Sequence, residues 1–260
     1  MSSPINIKSS SPEIAEWQQA MFNYEIDCSV LWREPYGPIL FKGILTTIHL
    51  SLLSWIIALV VGILIGVFRV LPNRFTRLAG FFYVQLFRNI PLLLQLFIWY
   101  FAIPLLFSDN VQNWLNEGVA ELPYWTGVIA LGLYTASRVA EQFRAGLLAI
   151  SKEHYEAASA IGLNTFHAYR RVFLPYAFRV ILPTLTAEFL TCFKNSALTM
   201  TIGVMETTGA AYHIDSLTYH GLETTTAASV VYIGLTACIV FFMTWLEKKT
   251  HIHGLIRRGS

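Results

Sequence analysis

Residues 43–68 read GILTTIHLSLLSWIIALVVGILIGVF, 26 residues without a charge, bounded by Lys42 and Arg69. A hydrocarbon core about 30 Å thick is crossed by roughly 20 helical residues, so this stretch predicts a membrane span. Working outward, residues 89–108 give another 20 uncharged positions, 122–137 give 16, and 224–246 give 23. Residues 180–205 are mostly apolar but carry Glu188 and Lys194. Five helical spans are expected, near 43–69, 78–107, 123–147, 177–204 and 224–247, making an all-α membrane protein. The composition agrees: 55% of the 260 residues are hydrophobic and 13% charged, with a mean hydropathy of +0.51. Soluble domains carry about 25% charged residues, which excludes disorder, nucleic-acid binding as a main role, and an ordinary soluble enzyme.

The basic residues orient the spans. Arg69, Arg74 and Arg77 follow the first; Lys152, Arg170 and Arg171 follow the third; Lys248, Lys249, Arg257 and Arg258 follow the fifth. Segments 108–121 and 205–223 hold no Lys or Arg but six acidic residues: Asp109, Glu117, Glu121, Glu206, Asp215 and Glu223. The positive-inside rule places the basic segments in the cytoplasm, the N-terminus outside and the C-terminus inside. Lys8, Arg33 and Lys42 run against this assignment without outweighing it. Residues 1–40 are an external or interfacial arm with no apolar core of signal-peptide length, and Trp17, Tyr24 and Trp32 suit a membrane surface. Residues 41–250 form the spanning domain and 251–260 a cytoplasmic tail.

The cytoplasmic segment 151–175 is neither low in complexity nor Gly/Ser-rich. Ser151 is positioned to cap a helix with Glu153 and Glu156 in its first turns. Gly162 ends that helix, Asn164-Thr165 starts a second, short one, and Pro175 is expected to stop it. A compact helix–turn–helix on this face suits a docking surface. No catalytic constellation accompanies it. The dipeptide Gly-Lys of a phosphate-binding loop never occurs, a Gly-x-Ser-x-Gly elbow is missing, and the histidines and three cysteines lack metal-ligand spacing. Energised work would need another chain.

The run Glu156-Ala157-Ala158-Ser159-Ala160-Ile161-Gly162 resembles the coupling loop of bacterial ATP-binding-cassette importer permeases, where E-A-A, three residues and G form the helix that docks on the ATPase. Arg88-Asn89-Ile90-Pro91-Leu92-Leu93-Leu94-Gln95 is similar to the signature of the polar amino acid group of that family. Ala140-Glu141-x-x-Arg144-x-Gly146 and Lys194-Asn195-Ser196-Ala197-Leu198 match two further patterns in order. Pro72-Asn73-Arg74-Phe75 and Phe87 to Pro91 look most like the glutamate/aspartate permeases. The chain departs from the family where Lys152-Glu153-His154-Tyr155 replaces the usual Pro-Lys-Gly-Gln. The resemblance implies a permease subunit in a bacterial inner membrane, half of a pathway completed by a second permease chain, homologous or identical. It also implies a partner ATPase dimer that binds ATP and Mg, and an extracytoplasmic amino-acid-binding protein. No cofactor, metal or nucleic acid is expected on this chain. Glu156, Ala157, Ala158 and Gly162 would couple to the ATPase.

Charges inside hydrocarbon cost at least about 2.5 kcal/mol each and persist when paired or functional. Arg88 falls about 10 residues into the second expected span, roughly mid-membrane. Pro91 frees the carbonyl of Phe87 and breaks the helix there, and broken helices at mid-membrane are where transporters bind ligands. Arg88, Arg138, Lys194, Asn195, Ser196 and Gln95 are therefore the substrate-binding candidates, with Arg138 singled out because related permeases carry an aromatic residue there. The competing reading pairs the charges: Arg138, Glu141 and Arg144 stand at i, i+3 and i+6, and Glu188 is a partner for Lys194 only through another helix. An ATP-independent channel or carrier would show an internal repeat, and a membrane enzyme a catalytic set; neither is seen. Glutamine, histidine or arginine remain alternative loads.

The topology is testable by cysteine-accessibility labelling. Residues 109–121 and 207–223 are expected to label from outside, and 152–168 with the tail after Lys248 from the cytoplasm. External labelling of 152–168 would invert the arrangement.

Overall fold

The computed structural model describes residues 26–250 and, among them, is helical throughout with no strand. Most of the expected N-terminal arm, with Trp17 and Tyr24, and the tail after Thr250 lie outside the described residues. After a 3-10 turn at Cys28–Leu31 come α1 (Tyr36–Phe68), α2 (Arg74–Asn89) and α3 (Leu92–Phe97). The short α4 (Asp109–Asn113) precedes the long α5 (Leu122–Leu148), then α6 (Lys152–Ala160) and α7 (Thr165–Ala168). The chain closes with α8 (Leu174–Asn195), α9 (Thr207–Thr218) and α10 (Gly221–Thr250). Three helical stretches among the described residues are long and apolar enough to cross a membrane: Tyr36–Phe68, Phe166–Ile202 and Gly221–Lys249. The pair Arg74–Asn89 and Leu92–Ala102 makes a fourth if it counts as one span bent by 103°. The third expected span is α5, whose 27 residues extend about 40 Å but which carries Arg138, Glu141 and Arg144.

Helix α1 is already formed at Tyr36, earlier than the expected boundary at 41, because Pro35 and Pro38 suit a helix start, where no N–H is needed. Its buried residues are Gly43, Thr47, Leu50, Ser51, Ser54, Ala58, Gly62 and Gly66, a stripe of mostly small side chains about four residues apart. That stripe lets α1 and α5 come together along most of their length. A Cβ on Gly62 would lie 2.6 Å from Cγ1 of Val139, and one on Gly66 2.8 Å from Cβ of Phe143. Helices in lipid associate through such close packing, since the tails around them are as apolar as leucine. Ser54 adds a hydrogen bond from its Oγ to the Val128 carbonyl at 3.1 Å. Around this pair, Leu92 and Leu96 of α3 and Ile202 and Val204 close one core, and Ile181 and Leu185 of α8 close the next.

The structure bears out one local expectation and corrects two. The second span is a broken one: Ile90 is extended and the chain turns at Pro91. Pro175 does not stop a helix. It occupies the first turn of α8, and the π turn at Tyr169–Phe173 before it widens the helix where the ring would meet the carbonyl four residues earlier. Ser151 stands at the start of α6 but its side chain makes no cap there; its Oγ bonds His154 Nδ1 at 2.7 Å instead.

Gly62→Leu is expected to lower the thermal stability of the chain in detergent by an amount equivalent to about 1–3 kcal/mol or more, the usual cost of overpacking. Gly234→Leu, where nothing lies within 4 Å of a Cβ, is the control and should leave the melting temperature unchanged. Equal behaviour of the two would remove the α1–α5 contact as the organising one.

Candidate functional site

The charged residues of α5 are held by helices on either side. Arg138 donates from Nε to Glu188 Oε2 at 2.6 Å and from Nη2 to Oε1 at 3.2 Å, a two-pronged pair joining α5 to α8. Glu141 accepts from Arg144 at 2.5 Å and also binds Arg69 at the end of α1. The i, i+3, i+6 set expected from the sequence is thus half right. Glu141 pairs with Arg144, but its other partner is Arg69, and Arg138 turns to Glu188, which does not serve Lys194. Periodicity along one helix cannot reveal a partner 50 residues away. The two ends of the Arg138 pair differ in exposure: the Arg138 side chain is 37% exposed and that of Glu188 10%. Arg138 is thus the more open partner, with its Nε and Nη2 both engaged by Glu188.

The other candidates divide between open and structural positions. Arg88 is exposed in the last turn of α2, beside the break, where the helix dipole favours a cation. Gln95 is buried and its Nε2 donates to the Phe87 carbonyl at 2.7 Å and the Ile90 carbonyl at 2.9 Å. Those include the acceptor that Pro91 leaves without an N–H, so Gln95 seals the broken helix. Ser196 is fully buried and donates to the Phe193 carbonyl at 2.7 Å, and Asn195 is half-buried at the end of α8. Lys194 is exposed and faces a cavity of about 460 Å³ shared with Thr208, Asp215, Ser229 and Tyr232. Arg138 does not line that cavity, so the two cations serve different faces of the bundle.

Glu206, placed by the sequence in an acidic external segment, is completely buried. Its carboxylate accepts from the Thr208 and Gly209 amides at 2.9 and 2.8 Å, capping α9, and from the Tyr232 hydroxyl at 2.7 Å. Thr47 of α1 reaches the same group at 3.3 Å. This carboxylate fastens α9 to α1 and α10. The sequence signal for it is a Glu two and three residues before a Thr-Gly pair, the cap position of a helix.

The coupling segment is docked on its own chain through one face. Ala158 is buried with Leu147, Ile150, Ala168, Phe173 and Ala177, so it supports the segment from beneath. Tyr155 stacks on Phe173 at 4.1 Å and donates to the Leu147 carbonyl at 3.3 Å. Burial pushes its phenol up to about 12, which keeps that donor protonated. Glu156 and Ala157 are exposed, as is Ile161, and Glu156 meets Lys152 at 3.3 Å in a solvated pair. Gly162 has φ +75°, the left-handed region that costs other residues about 1–2 kcal/mol. The chain reverses there and Asn164 Oδ1 accepts from the His167 amide at 2.9 Å to start α7.

Against known proteins, residues 38–252 match the family described as binding-protein-dependent transport system inner membrane component. The glutamate/aspartate import permease protein GltJ of Escherichia coli (strain K12) is 39% identical over 220 residues, 83% of this chain and 88% of that protein. The arginine transport system permease protein ArtQ of Bacillus subtilis (strain 168) is 32% identical over 215 residues, 83% of this chain and 94% of that one. The crystal structure of an amino acid ABC transporter with histidines superposes with a TM-score of 0.72 at 27% identity, covering 87% of this chain and 100% of that one. The chain belongs to the family of binding-protein-dependent transport system inner membrane components, as a permease subunit of the ATP-binding-cassette type. The resemblance drawn from segments 88–95, 140–146, 156–162 and 194–198 holds at family level.

Gly162→Val is expected to abolish uptake by the assembled transporter while membrane insertion stays intact. Nothing lies within 4 Å of a Cβ at this position, so the loss would come from the backbone alone. Gly162→Asn, which tolerates the left-handed region, should retain more activity. Normal uptake by the valine variant would take the turn out of the mechanism.

Proposed function

We propose that this chain forms half of the transmembrane pathway of an ATP-driven importer of acidic amino acids, glutamate or aspartate. A second permease chain completes the pathway, a partner ATPase dimer binds ATP and Mg and supplies the energy, and an external binding protein delivers the load. The chain itself performs no catalysis. It sits in the bacterial inner membrane with its N-terminus outside and C-terminus in the cytoplasm, which agrees with the ten-to-zero division of basic residues among its loops. Glu156, Ala157 and Gly162 lie on or beside the open face of the coupling segment, with Ala158 holding that segment against the bundle.

The observation that carries the acidic substrate is the partly exposed Arg138 side chain between α5 and α8. A second carboxylate in a low-dielectric passage is costly unless it meets a cation, and arginine can grip it with two parallel hydrogen bonds. The 39% identity to a glutamate/aspartate permease supports the same load. Arg88 at the helix break is the second cation for that path, and Lys194 with Asn195 flanks a separate cavity. Another polar amino acid is the competing reading. It is favoured by the 32% identical arginine permease and by Arg138 being already charge-balanced by Glu188.

Arg138→Ala is expected to cut uptake of glutamate at least about tenfold, one charge-assisted contact, while glutamine transport falls much less. The measurement is paired uptake in proteoliposomes, with assembly checked by co-purification of the partner chains. Equal losses for both substrates would return Arg138 to a structural pair and leave the acidic load without its carrier.

A further inference from the structure

Helices α5 and α8 run antiparallel, and they touch in two physically different ways. Near their shared cytoplasmic ends the backbones are in direct contact: a Cβ on Gly146 would lie 2.6 Å from Ile181 Cγ2 and 3.5 Å from the Ala177 Cβ. Eight residues earlier on α5, about 12 Å along the helix, Arg138 and Glu188 bridge the helices with long side chains. The pair is set within apolar packing of the same two helices: Leu185 shares one core with Val139 and Phe143, and Cys192 shares the next with Val128 and Leu131. Helix α8 is also the helix that leads out of the coupling segment, since Phe166–Ile202 forms one helical stretch through the π turn. Displacement of the coupling segment is therefore carried into α8, the helix that holds Glu188, with Pro183 inside that helix on the way.

We propose that Glu188 is a resident carboxylate that occupies the Arg138 fork in place of the substrate's carboxylate, and yields it when α8 shifts against α5. This deepens the proposed function and rests on Arg138 meeting the substrate. Glu188 acts as a positioning residue. It keeps Arg138 oriented and charge-balanced between passages, and it weakens the hold on the load so that release stays fast. If the pair is closed about nine-tenths of the time, the apparent affinity of the fork is about tenfold below that of the open one. The exposure difference between the partners fits this division of labour, because Arg138 is the more open of the two side chains.

The experiment is steady-state uptake of glutamate and glutamine by the reconstituted complex carrying Glu188→Gln, Glu188→Asp, Arg138→Ala or the double variant R138Q/E188Q. Glu188→Gln should lower KM for glutamate about tenfold and lower kcat with it, leaving glutamine nearly unchanged, while Glu188→Asp moves both constants back towards the parent. The double variant should assemble and lose the preference for glutamate. A rise in KM for Glu188→Gln, equal changes for both substrates, or failure of Glu188→Gln to assemble while the double variant does, would each make Glu188 a structural counter-charge and overturn the proposal. Selective loss in Arg138→Ala with no KM–kcat split in Glu188→Gln sinks this inference alone; unselective loss in Arg138→Ala sinks the acidic-substrate reading beneath it.

Discussion

The close approach of α1 and α5 is the constraint on which the other contacts depend. Lipid gives apolar helices no hydrophobic reason to prefer one another, so their association relies on matched surfaces and on polar groups with no alternative partner. The stripe from Gly43 to Gly66 supplies the first, since Gly62 and Gly66 leave no room for even a methyl group against Val139 and Phe143. Thr47 and Ser54 supply the second, by bonding Glu206 and the Val128 carbonyl. With α5 thus enclosed, its charged residues are presented to partners at fixed heights: Arg69 from α1 for Glu141, and Glu188 from α8 for Arg138.

Polar groups that would be expensive in hydrocarbon are almost all spent on holding helices together. Gln95 shows the economy of this most clearly. Pro91 breaks the second span, which leaves the carbonyls of Phe87 and Ile90 facing apolar surroundings, and the side-chain amide of Gln95 satisfies both. Glu206 does the equivalent work at the start of α9. Arg88 and Lys194 are exposed, Arg138 is partly exposed and paired with Glu188, and Lys194 faces a cavity that Arg138 does not line.

The segment from α6 to the π turn joins this arrangement by packing rather than by charge. Ala158, Tyr155 and Phe173 seat it on the ends of α5 and α8, while Ala157, Ile161 and Glu156 face away. Small residues thus serve two opposite purposes in one short helix: Ala158 allows close seating on the bundle, and Ala157 leaves the outer face shallow. The helical passage from α7 through the π turn continues that seat into α8, which carries Glu188.

The sequence by itself determined what depends on local composition. Uncharged runs marked the spans, Gly162 marked a reversal that φ +75° requires, and Pro91 marked a break, because each of these effects acts within one helix or one turn. Only the tertiary structure decided what depends on which helix lies opposite. It placed Glu188 rather than Glu141 against Arg138, enlisted Arg69 for Glu141, buried Glu206 in a cap, and gave Gln95 and Ser196 backbone carbonyls as partners. A charge or an amide carries the same chemistry wherever it stands in a sequence. Its partner is chosen by helix packing across 50 or more residues, and no periodicity within a single span encodes that choice.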